Sequence, residues 1–139
     1  AVRQQAPIKV FYQVWDRPLM TINGEHLISR AIERCGGQNV FAPLSQLAPT
    51  VSVEGVLAAN PQVILATRVD DTTQTGLAEW RRWPDLAANR HDNLLALPAD
   101  LLQRPGPRFI DGVEALCAAL DEARSRIAQS DGTSGRERR

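Results

Sequence analysis

Few side chains in this 139-residue chain are equipped for chemistry. Cys35 and Cys117 are its two cysteines, and His26 and His91 are its two histidines. Two thiols do not close a zinc site, and no CxxC or HxxxH spacing gathers ligands locally. A nucleophilic cysteine needs a neighbouring histidine and an oxyanion hole, and no local signature supplies them. Both cysteines fall in apolar surroundings near the ends of predicted helices. On count alone, two buried thiols and one disulfide are equally open. Glu25–His26 lacks the second histidine, four residues on, of a metalloprotease helix, so it reads as a first-turn acid beside a solvated histidine. Asp70–Asp71 follows a predicted strand, where metal-binding acids often sit, but a loop-turn pair explains it equally well. Neither G-x-G-x-x-G, nor a P-loop, nor a G-x-S-x-G elbow is present. No catalytic residue, metal site or required cofactor is assigned. A small metal-dependent α/β enzyme built on Asp70, Asp71 or His26 stands as the alternative from another class.

Residues suited to holding a ligand are better grouped. Trp15, Pro18, Leu19 and Met20 put an aromatic, a rigid and two deformable apolar side chains within six positions, as a large apolar ligand requires. Closing the top of a core is the competing use for them. Asp100 and Arg104 lie four apart between Pro98 and Pro105. There they offer an acceptor and a donor fork to one ligand edge, or form an ordinary exposed pair. Trp80 and Trp83 read as half-buried helix packing.

These positions are set by an alternation of strands and helices. Ile8–Val14 (IKVFYQV) is a buried strand, and 15–23 a loop. Leu27, Ile28, Ala31 and Ile32 form one face of a helix from about Gly24 to Cys35, closed by Gly36–Gly37 in the left-handed region. Asn39–Phe41 is a short strand. Ser52 caps a helix over Val53–Ala59, with Glu54 in its first turn where the helix dipole favours an anion. Gln62–Thr67 is a second buried strand. One or two short helices fall within Thr72–Asn89, Asn93–Leu97 is a strand, and a long helix runs from Pro107 to about Ile127. From Ser130 the polar SDGTSGRERR is expected to be a disordered tail. The expected fold is α/β: a single lobe with a mostly parallel sheet of four to five strands and helices on both faces. Ligands gather at the carboxyl ends of such strands, here 15–21, 67–72 and 98–104.

Sixteen basic residues balance sixteen acidic ones, which argues against nucleic-acid binding by bulk charge. At 43% hydrophobic residues the chain can bury a core, but no run reaches the roughly 18 to 20 apolar residues that span a bilayer. No charged-then-apolar leader opens the chain, so any secretory signal is expected to have been removed.

The order of these residues resembles a known family. The run KVFYQVWDRPLMTINGEHLISRAIERCGGQNVF (9–41), PTVSVEGVLAANPQVILAT (49–67) and LPADLLQRPGPRFIDGVEALCAAL (97–120) are similar to the C-terminal lobe of the helical-backbone periplasmic binding proteins. These receptors feed ATP-binding-cassette importers of metal chelates, and the cobalamin-binding branch is the most similar. The resemblance implies a non-catalytic lobe over 8–128, the end of an inter-lobe helix at 1–7, and a tail at 129–139. It implies that Glu54 docks on the inner-membrane permease, and that Met20, Asp100 and Arg104 line the pocket. Trp15 stands in for an aromatic the branch carries before the docking helix, where this chain has Leu47-Ala48-Pro49. It also implies that Cys35 and Cys117 form a disulfide, in keeping with an oxidising periplasm. Haem and ferric-siderophore receptors share the scaffold, and an N-terminal lobe is expected to be encoded upstream.

Overall fold

The computed structural model of the chain describes residues 7–16, 18–68, 77–98 and 107–137. The strands are β1 (Ile8–Gln13), β2 (Trp15–Asp16), β3 (Leu19–Met20), β4 (Gly37–Asn39), β5 (Val63–Arg68) and β6 (Leu94–Pro98), of which β1 and β5 are the runs rich in β-branched or aromatic residues. Between them lie α1 (Leu27–Arg34), α2 (Val53–Ala59), a 3-10 helix (Leu77–Arg82), α3 (Ala87–Arg90) and the long α4 (Pro107–Glu137). Strands β1, β4, β5 and β6 form one parallel sheet in the order β4-β1-β5-β6. β2 and β3 form a separate antiparallel hairpin.

Alternation along β1 divides the core in two. Ile8, Val10 and Tyr12 face one way and join Ile28, Ile32, Leu116 and Leu120 of α1 and α4. Phe11 faces the other way and joins Val56, Leu77 and Trp80 of α2 and the 3-10 helix. Successive strand residues point to opposite faces, so a strand buried on both sides reads as the near-continuous apolar run seen here. Helices cover both faces, as the sequence implies.

Local chemistry fixes the element ends. Gly36 follows the C-cap of α1 at φ 85°, a left-handed conformation glycine adopts cheaply. Ser52 caps α2 by accepting the Gly55 N–H at 2.9 Å. At the other end of α2, Asn60 adopts φ 50° and its side-chain oxygen accepts the Ala87 N–H, which ties α2 to α3.

Four boundaries depart from the sequence reading. Helix α1 starts at Leu27 rather than Gly24, because His26 holds the cap with extended backbone (φ −68°, ψ 143°). β4 lies at Gly37–Asn39 rather than Asn39–Phe41, in register with Ile8–Val10. The loop after β1 folds back as the β2–β3 hairpin. Helical backbone continues to Glu137 instead of stopping near Ile127 with a disordered tail beyond. Propagating a helix from a packed segment fixes one residue per added hydrogen bond, so polar composition alone does not end it.

Cys35 and Cys117 form a disulfide, joining the C-cap of α1 to the middle of α4 with Cα atoms 4.8 Å apart. Cys117 therefore sits well inside a helix rather than near its end. Across the same contact, Arg124 donates to the Gly36 carbonyl at 3.0 Å. No described helix is long and apolar enough to cross a membrane.

Candidate functional site

In the strand order β4-β1-β5-β6, the chain leaves β1 in one direction to reach β4 and in the other to reach β5 and β6. The reversal opens a crevice at the carboxyl ends of β1 and β5, where doubly wound sheets bind ligands. Gln13 lies at that end of β1, opposite Ala66. Its amide oxygen accepts the indole N–H of Trp80 at 2.7 Å. Trp80 is buried and meets Phe11 edge-on at 5.9 Å between ring centroids. It serves the core, while Trp83 beside it is half-buried.

The β2–β3 hairpin rises directly from this crevice. Val14 donates to the Met20 carbonyl at 2.9 Å, and Trp15 pairs with Met20. Beneath the hairpin, the buried Thr21 hydroxyl donates to the Tyr12 carbonyl at 2.7 Å and locks it onto β1. On its far side runs the segment 47–51. Thr21 donates to the Pro49 carbonyl and Asn23 to that of Leu47, both at 3.0 Å, while Val51 donates to the Leu19 carbonyl at 2.9 Å. The hairpin is two residues per strand, and a pair that short is not stable in isolation. Both flanking attachments are what hold it.

On this support Trp15 is 59% exposed, while Met20 is half-buried. An exposed aromatic paired across the hairpin with a half-buried thioether can offer a flat apolar ligand dispersion contact at little entropic cost. Glu54 is exposed in the first turn of α2, three residues beyond the Val51–Leu19 hydrogen bond. The candidate docking acid thus follows closely in sequence on the segment that flanks the candidate ligand surface. Asp100 and Arg104, the expected polar contacts, lie outside the described residues, as do Asp70 and Asp71.

His26 is not the solvated surface residue the sequence suggests. Its Nδ1 accepts the Ile28 N–H at 3.1 Å as the cap of α1, and burial lowers its pKa below the ordinary 6.5. A ring nitrogen committed to a helix end is withdrawn from metal chemistry. Among the described residues no group of three or more His, Cys, Asp or Glu side chains is placed to hold a metal ion. A groove of about 460 Å³ between α1 and α4, walled by Leu27, Ala31, Ile110 and Val113, shares no lining residue with the hairpin.

No protein-family model matches the sequence. The Vitamin B12-binding protein of Vibrio cholerae serotype O1 is 40% identical over 118 residues, which are 82% of this chain and 41% of that protein. The crystal structure of the periplasmic vitamin B12 binding protein BtuF of Vibrio cholerae superposes with a TM-score of 0.76 at 37% identity, covering 88% of this chain and 48% of that one. The periplasmic heme-binding protein RhuT of Roseiflexus sp. RS-1 superposes at 0.73 with 22% identity, over 88% of this chain and 49% of the other. That last likeness is one of fold alone. The chain spans about two fifths of the length of the curated relatives it matches.

Proposed function

We propose that this chain, which belongs to the periplasmic binding proteins, is the cobalamin-binding C-terminal lobe of a receptor that serves a metal-chelate importer. The observation that carries this reading is the hairpin at the carboxyl end of β1, with exposed Trp15 beside half-buried Met20. It stands in a chain 40% identical to a protein named for vitamin B12. Trp15 and Met20 supply apolar contact to the corrin face. Asp100 and Arg104 supply an acceptor and a donor for its peripheral amides. Glu54 presents the loaded lobe to arginines of the inner-membrane permease, where an exposed carboxylate forms charge-assisted hydrogen bonds.

No bond of the ligand is made or broken in this reading; the lobe grips and releases. Its compartment is the periplasm. In this reading the lobe comprises residues 8–128, and a second lobe closes over the ligand. Residues 129–139 lie beyond that unit.

Titrating cyanocobalamin into the chain, followed by tryptophan fluorescence and corrin absorbance, tests the proposal. Saturable binding is expected, and Trp15→Ala should weaken it about tenfold or more, the usual cost of truncating an aromatic anchor. Absence of binding to cyanocobalamin, with saturable binding of hemin or a ferric siderophore, would replace the assignment with another chelate.

A further inference from the structure

The segment 47–51 adds a third line to the hairpin, and its register identifies a residue so far without a role. Met20 pairs with Trp15 on one side and with Thr50 on the other. Directly opposite residues of an antiparallel pair share a face. Trp15, Met20 and Thr50 therefore stand in one row. Burial agrees with this alternation: Ala48 and Thr50 are exposed, Pro49 between them is buried, and Val51 packs into the α2-side core.

From this row we propose that Thr50 is a specificity-determining contact of the lobe. It sets a hydroxyl at the margin of the Trp15–Met20 floor, where it exchanges a hydrogen bond with a polar substituent on the rim of a flat ligand. This inference rests on the cobalamin reading above. A threonine hydroxyl both donates and accepts, so it suits a carboxamide, which does the same and is the substituent that rings a corrin. The neighbouring Ala48 is the smallest chiral side chain and leaves the rim open for such a group. Backbone bonds from Thr21 to Pro49 and from Val51 to Leu19 hold both flanks of Thr50. The hydroxyl is thus presented from a fixed backbone, which limits the ordering cost of binding.

The test is the cyanocobalamin titration repeated on Thr50→Val and Thr50→Ser in the full chain. Valine keeps the shape and β-branching and removes only the hydroxyl. Its Kd is expected to rise about three- to tenfold, the range of one neutral hydrogen bond, while Thr50→Ser stays within about twofold of the parent. Thr50→Ala supplies the same comparison should valine disturb folding, as judged by circular dichroism. Equal affinity of the parent and the hydroxyl-free variants would overturn the role of Thr50 and leave the cobalamin reading standing. A parent chain that does not bind cyanocobalamin would overturn both.

Discussion

Protonating His26 removes the acceptor that caps α1 and places a cation at the positive end of a helix. Burial holds its folded-state pKa below the ordinary 6.5, so as pH falls the unfolded chain takes up this proton first. Stability from His26 is therefore complete above about pH 6.5 and is lost as pH falls through that value toward the lower folded one. Thermal melts between pH 7.5 and 5.5 should show a declining Tm, and His26→Asn, an uncharged cap, should flatten that decline. Gly37 is constrained differently. A Cβ there would meet Ile32 Cγ2 at 2.7 Å and Val10 Cγ2 at 3.1 Å, both on buried β-branched side chains. Gly37→Ala should cost about 1 to 3 kcal/mol by overpacking, measurable by urea unfolding. At Glu54, alanine should leave the cyanocobalamin affinity unchanged while abolishing capture of the loaded chain by permease-containing vesicles. Capture that persists undiminished would remove the docking role.

Elements were legible where their stabilisation is local. β1 and β5 announce themselves through apolar runs buried on both faces, β6 through an apolar run that packs half-buried at the sheet edge, and α2 through Ser52 and its first-turn acid. The hairpin was not legible. Two-residue strands carry no period, and Trp15–Met20 is held by Thr21 beneath and by residues 47–51 alongside, contacts that sequence spacing does not disclose. The same distance hid Thr50, whose only local signal is the brief alternation Ala48, Pro49, Thr50, Val51. Trp15 and Met20 stand as candidates by their type, and Glu54 by its place after a cap, while Thr50, which completes the row of the first two, gives no such signal. Cysteine count leaves the pairing of Cys35 and Cys117 open; the family resemblance implies it, and the packing of α1 on α4 brings the two together. That link spans 82 residues, for which the chain-entropy model gives about 4 to 5 kcal/mol. Reducing the chain, or replacing both cysteines by serine, should lower the urea midpoint by a corresponding amount without changing the sheet signal in circular dichroism.

At the scale of the molecule, two core clusters share β1, one through Val10 and Tyr12 and the other through Phe11. Neither can dissolve while the other persists intact. Urea unfolding followed by tryptophan emission, which senses the α2 side through Trp80, and by far-ultraviolet ellipticity should therefore give coincident single transitions. Separate midpoints would show that the two faces fold independently. The strand order has a last consequence for life in a crowded compartment. The longest strands, β1 and β5, occupy the middle of the sheet, and its margins fall to three residues of β4 and to β6, which closes on a proline. A margin so brief, and at one end lacking an amide hydrogen, gives a passing extended chain little to zip onto. The lobe can thus display an apolar hairpin with its main-chain flanks guarded against fibrous assembly.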